Sequence, residues 1–172
     1  MNEFHKRTCI RFLPRTSEDG YIQITRSVHG CKSAIGRKGG PQTVNLGDRC
    51  TESELPGFAI HELMHTIGFE HEHQRPDRDN YVSINWDNIK PEHRFEFIKK
   101  SAGQVNTLGL PYDYGSVMHY PKVVFAIDRH VPVITALKGN PSELGQRAGF
   151  SALDVKKMNK LYKCVLPFMS PW

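Results

Sequence analysis

The chain has 172 residues, 38% of them apolar and 24% charged, the size and balance of one globular domain with a buried core rather than a disordered segment. No run of 18 apolar residues occurs, so no membrane-spanning helix is expected, and Met1 to Arg7 lacks the apolar stretch of a signal peptide. The formal net charge of +5 is scattered, with Arg37-Lys38 and Lys156-Lys157 as isolated basic pairs and no nucleic-acid-binding motif beside them.

In chain order, Cys9 to Leu13 alternates and is β-rich, and Pro14 ends it. Tyr21 to Thr25 alternates as a half-buried strand does, and Gln42 to Leu46 predicts another after the Gly36–Pro41 turn. The glycines of that turn fit neither phosphate-loop spacing. From Ser53 the period becomes helical: Phe58, Ile60, Leu63, Met64 and Ile67 recur at helical spacing, Pro56 suits the first turn, and Gly68 suits a left-handed stop. A second helix is predicted from about Pro91 to Lys100. Residues 103–150, punctuated by glycine and proline, read as loops with short strands. A last helix opens at Ser151, with Asp154 completing an acidic capping box and Val155, Met158, Leu161 and Tyr162 on one face. The implied class is α+β, one domain whose halves meet near Gly68.

Four cysteines, at 9, 31, 50 and 164, form no C-x-x-C pair. Their even number and wide spacing suit two disulfides and an oxidising compartment, with three connectivities open.

His61-Glu62-Leu63-Met64-His65 places two imidazoles one helical turn apart on one face. Such a pair can bind one Zn²⁺, with Glu62 beside it to reach a water. The run continues to Gly68 and His71, giving H-E-x-x-H-x-x-G-x-x-H, the metzincin signature. A third ligand cannot come from the same straight helix face. Gly68 can take a positive φ and turn the chain back to deliver His71. Ser116-Val117-Met118-His119-Tyr120 supplies the Met-turn expected of that class.

These residues carry a resemblance to the astacin family of zinc endopeptidases. HELMHTIGFEHEHQRPDRDNYV (His61 to Val82) and SVMHY are its specific motifs, and the likeness extends from CIRFLPRT to ELGQRAGFSALDVKKMNKLYKC, nearly the whole chain. The resemblance implies a two-lobed fold, with a small mixed sheet and the zinc-site helix in the first half and a loop-rich second half ending in a helix. It implies one Zn²⁺ per chain on His61, His65 and His71, with Tyr120 as a fifth, displaceable ligand and oxyanion donor, Glu62 as general base and Met118 packed beneath the metal. It pairs Cys9 with Cys164 and Cys31 with Cys50. It makes Lys32, Ser33 and Ala34 the edge on which substrate lies antiparallel, and sets specificity near Pro132 to Arg147. Glu72 matches the residue that receives the mature N-terminus.

Family domains carry roughly thirty more residues before CIRF, including a strand and most of a helix. The chain is therefore expected to be an N-terminally truncated peptidase domain, with Glu72 deprived of that partner. The implied function is hydrolysis of protein or peptide bonds by a secreted, monomeric enzyme that engages neither nucleic acid nor membrane. The alternatives are a zinc-bound but inactive fragment, suggested by the truncation, and nucleic-acid binding, suggested only by the charge. The one N-x-Ser/Thr pattern, Asn140-Pro141-Ser142, is blocked by its proline.

Overall fold

The computed structural model describes residues 1–27, 30–51, 56–139 and 144–165, apart from the Arg49 side chain. Its helices are α1 (Asn2–Arg7), α2 (Asp48–Thr51), α3 (Gly57–Thr66) and α4 (Ala152–Leu161), and its strands are β1 (Ile22–Thr25), β2 (Cys31–Ser33), β3 (Gln42–Leu46), β4 (Val82–Ile84) and β5 (Ile134–Ala136). The expected α+β class and mixed sheet are present.

The first sheet has the order β1-β3-β2, with β1 parallel and β2 antiparallel to β3. Val44 of β3 is fully buried against Ile60, Leu63 and Met64 of α3, the helical face marked by the sequence period. Val117, Met118 and Met158 close this core from the second half of the chain. A second core gathers Val82, Ile89, Phe97, Tyr112, Val133 and Ile134 around the antiparallel pair β4–β5.

Three expectations need correction. Cys9 to Leu13 is not a strand. The Phe12 N–H donates to His5 Nε2 at 3.0 Å and the Ile10 N–H to Thr8 Oγ1 at 3.1 Å, so side chains take the donors a ladder needs. No strand among the described residues lies alongside: residues 11–14 and Tyr21, Ile22 and Ile24 line a groove of about 680 Å³, and Leu13 stands 80% exposed. Second, Pro91 to Lys100 is not an α-helix but 3₁₀ turns over Pro91–Phe97. Phe97 is buried, and the Lys100 N–H donates to Gln74 O at 2.8 Å, which draws the chain out of a helical course. Third, α4 has its capping box, with the Asp154 N–H on Ser151 Oγ at 2.8 Å and the Ser151 N–H on Asp154 Oδ2 at 3.0 Å, but only half of the apolar face expected, Met158 in the core with Val155 packed against it. Leu161 and Tyr162 are exposed, and the buried side chains are Asp154, Lys157 and Met158, because α4 seats on polar groups of the second half. The first turn expected from Ser53 lies partly outside the described residues, as do residues 140–143 and 166–172.

Candidate metal centre and active site

α3 carries His61 and His65 one turn apart, both buried. Gly57 lets this helix start hard against the second half: its N–H donates to Arg147 O at 2.9 Å, and a Cβ there would overlap that carbonyl. After α3, Gly68 takes φ +103°, its N–H capping His65 O at 2.8 Å while the Phe69 N–H reaches Met64 O at 3.1 Å. The reversed chain brings His71 to the pair. The three Nε2 atoms form a triangle: 3.1 Å between His61 and His65, 3.1 Å between His65 and His71, 3.3 Å between His71 and His61.

Two of these rings are oriented from behind. His61 Nδ1 is 2.8 Å from Val117 O and His65 Nδ1 is 2.7 Å from Phe69 O. A carbonyl only accepts, so each Nδ1 carries the proton and each Nε2 turns a lone pair inward. Lone pairs so close repel unless a cation lies between them. Tetrahedral zinc, with Zn–N distances of about 2.0–2.1 Å, would set its nitrogens about 3.3–3.4 Å apart, so the donor set fits that metal. Burial keeps the rings neutral, as ligands must be: it lowers His61 to about 3 and His65 to about 4, and holds His71 well below its ordinary range. Among the described residues these are the one group of three or more His, Cys, Asp or Glu close enough to share an ion.

Glu62 is buried, and its Oε2 has no hydrogen-bond partner among the described residues. Burial raises its carboxyl to about 7, opposed by hydrogen bonding from Ser33 and by the Arg147 charge. The Ser33 hydroxyl also donates to Glu62 O at 2.6 Å, fastening β2 to α3. Lys32 and Ser33 lie in this outer strand and Ala34 just beyond it, so the edge of β2 away from β3 is free of strand partners among the described residues. The Tyr120 ring lies 4.3 Å from that of His71 and stacks on His73 at 4.2 Å, with Phe97 and Phe125 closing around it. Burial pushes its hydroxyl well above the ordinary phenol range, so it remains a donor.

Met118 is buried in the first core, and its carbonyl accepts the Glu72 N–H at 3.1 Å. The Glu72 side chain is not left alone: Lys157 Nζ, Arg75 Nη1 and the Asp113 N–H reach it. Cys9 is bonded to Cys164 and Cys31 to Cys50. Of the expected specificity region, Val133 and Ile134 are fully buried, Arg147 donates to His119 O at 3.2 Å, and residues 140–143 lie outside the described part. Sequence reasoning missed the carbonyls of Val117 and Phe69, the His73 platform and Lys157. No residue type marks a carbonyl. Only Lys157, six residues past the Ser151 cap and so on one face with it and Asp154, had a positional signal.

A mixed sheet over a helix with three convergent imidazoles and a buried glutamate defines a mononuclear metal centre of the H-E-x-x-H type. The chain belongs to the Astacin family of peptidases, whose profile matches residues 1–163. It is 46% identical over 166 residues to zinc metalloproteinase nas-14 of Caenorhabditis elegans, covering 95% of this chain and 32% of that protein. It is 43% identical over 169 residues to bone morphogenetic protein 1 of Xenopus laevis, covering 95% and 23%. A solved structure of high choriolytic enzyme 1, a hatching enzyme zinc-protease from the medaka Oryzias latipes, matches with a TM-score of 0.88 at 41% identity, covering 96% of this chain and 80% of that one. The chain thus spans about a third or less of these two curated relatives. No described helix is long and apolar enough to cross a membrane.

Proposed function

We propose that the chain is the catalytic domain of a zinc-dependent endopeptidase that cleaves protein or peptide substrates. The carrying observation is the triangle of inward Nε2 atoms, 3.1–3.3 Å apart, with the unpartnered Glu62 carboxylate oxygen on the residue beside His61. His61, His65 and His71 would hold one Zn²⁺, with the Tyr120 oxygen as a fifth, displaceable ligand. Bound there, the metal supplies Lewis acidity, which lowers the pKa of water and polarises a carbonyl.

The chain does the rest. The open edge of β2 at Lys32, Ser33 and Ala34 pairs with an extended substrate and presents its backbone to α3. Glu62, poised near neutrality, takes the proton of the attacking water and passes it to the leaving amine. The Tyr120 hydroxyl donates to the oxygen on which negative charge develops. Residues from Pro132 to Arg147 shape the pocket beyond the scissile bond. The two disulfides and the secreted character of such relatives support an extracellular, monomeric enzyme, with neither nucleic acid nor membrane as partner.

The test is hydrolysis of a fluorogenic peptide together with zinc analysis. Glu62→Gln should keep zinc and lose turnover. His71→Ala should lose both. Zinc retained in His71→Ala, or full turnover in Glu62→Gln, would remove the reading.

A further inference from the structure

Lys157 stands on α4 with its ammonium 2.5 Å from Glu72 Oε2, and the two residues are only 6% and 5% exposed. A lysine is almost never buried unless paired. Glu72 is placed where pairing matters. It follows His71 directly, its N–H is bonded to Met118 O, and its other carboxylate oxygen accepts the Asp113 N–H at 2.9 Å. One carboxylate thus joins α4, the 110–113 loop and the loop that carries the third imidazole.

The other cation nearby is largely committed elsewhere. Arg75 grips Asp77 with two hydrogen bonds, of 2.9 and 2.8 Å, and donates to the carbonyls of Pro111 and Leu110. It spares Glu72 one longer contact of 3.2 Å. Lys157 is therefore the close counter-charge of this carboxylate.

We propose that Lys157 is a positioning residue of the metal centre, supplying from within the chain the ammonium that fixes Glu72 and so holds His71 and the Met-turn in place for zinc. The inference rests on the zinc reading above. It goes beyond it in giving α4, through Lys157, a part in holding the third imidazole. His61 and His65 ride on α3 and are each tied to a carbonyl, whereas His71 sits on a loop, its ring in hydrogen-bond contact with the Gln74 side chain.

The readout is the rate at which zinc passes from the folded, loaded protein to a coloured chelator, with near-ultraviolet circular dichroism as the check on folding. Lys157→Met keeps the length of the side chain and drops its charge. It should release zinc faster than the starting protein, by less than the roughly 10–100-fold in affinity that follows loss of a group bonded directly to a metal ligand. Lys157→Arg should stay close to the starting protein. A cavity of about 180 Å³ borders Glu72, Arg75 and Lys157, so a small amine can enter. Ethylammonium should accordingly slow zinc release from Lys157→Ala. Unchanged release in Lys157→Met, or loss that neither arginine nor ethylammonium corrects, would overturn the proposal. Should Lys157→Met fail to fold, Lys157→Gln carries the same comparison. His71→Ala separates the two ideas: zinc kept there defeats the zinc reading, while zinc lost there but held normally by Lys157→Met defeats this inference alone.

Discussion

Tyr120 differs from the imidazoles in what holds it. His61 and His65 are fixed by hydrogen bonds to carbonyls, whereas the Tyr120 ring is held by stacking on His73 and by the walls of Phe97 and Phe125, with its hydroxyl in hydrogen-bond contact with the Glu96 side chain. Stacking restrains the plane of a ring more than its slide within that plane. A phenol held this way can approach the metal or withdraw while its hydroxyl stays protonated. Tyr120→Phe removes one oxygen and leaves no cavity, so zinc content and fold should be kept. The donor to the developing oxyanion would be gone, which typically costs about 10²–10³ in turnover. The loss should fall on kcat more than on KM, because the bond is made mainly in the transition state. Peptide hydrolysis kinetics with parallel zinc analysis checks both parts, and a mutant that loses its zinc would make the hydroxyl a holding ligand instead.

At the scale of elements, α3 and its stop were legible because two independent patterns agree there, the apolar period and the histidine spacing. Gly68 is the joint between them. At φ +103° an L-residue is strained, yet nothing lies within 4 Å of where a Cβ would stand, so the cost of Gly68→Ala is conformational rather than a clash. A loss of about 1 kcal/mol is expected, seen as a lower urea midpoint, together with reduced zinc content as His71 is misdelivered. β3 was legible throughout, and β1 to within a residue. Cys9 to Leu13 was not, because alternation records a capacity to pair and says nothing of whether a neighbour is there. The C-terminal half of the expected face of α4 misled for a related reason, though Met158 and Val155 do face the core. Leu161 and Tyr162 look like core on a helical wheel, but this helix docks on Asp113, Ser116 and Glu72, so Ser151, Asp154 and Lys157 turn inward. Burial there follows hydrogen-bond partners far away in sequence, which periodicity does not register.

For the whole molecule, five imidazoles govern the response to acid. Burial holds His61, His65, His71, His73 and His119 below their ordinary values, His73 at about 3 and His119 at about 4. Below about pH 6.5 the unfolded chain binds protons that the folded one refuses, so their contribution is present above that pH and is lost as pH falls toward 4 and 3. The buried carboxyls of Glu62, Glu72 and Asp154 are raised and act with the opposite sign, favouring the folded state at low pH. Five groups against three set the net direction. The urea midpoint of the metal-free protein should be lower at pH 5 than at pH 7.5, and equal midpoints would contradict it. The Cys9–Cys164 bond has a mechanical consequence. Its Cα atoms are 5.3 Å apart across a sequence separation of 155. A pull on Met1 and Val165 therefore passes through the sulfur bridge and by-passes α3, the Met-turn and the metal centre. In an optical trap the tethered domain should lengthen only by its short tails, with the site unstretched. Once the bridge is reduced, the 155-residue loop should pay out about 500 Å more, at roughly 3.3–3.6 Å per residue. Set within a longer polypeptide under tension, such a domain would carry load as a closed link in a chain while its chemistry stayed slack.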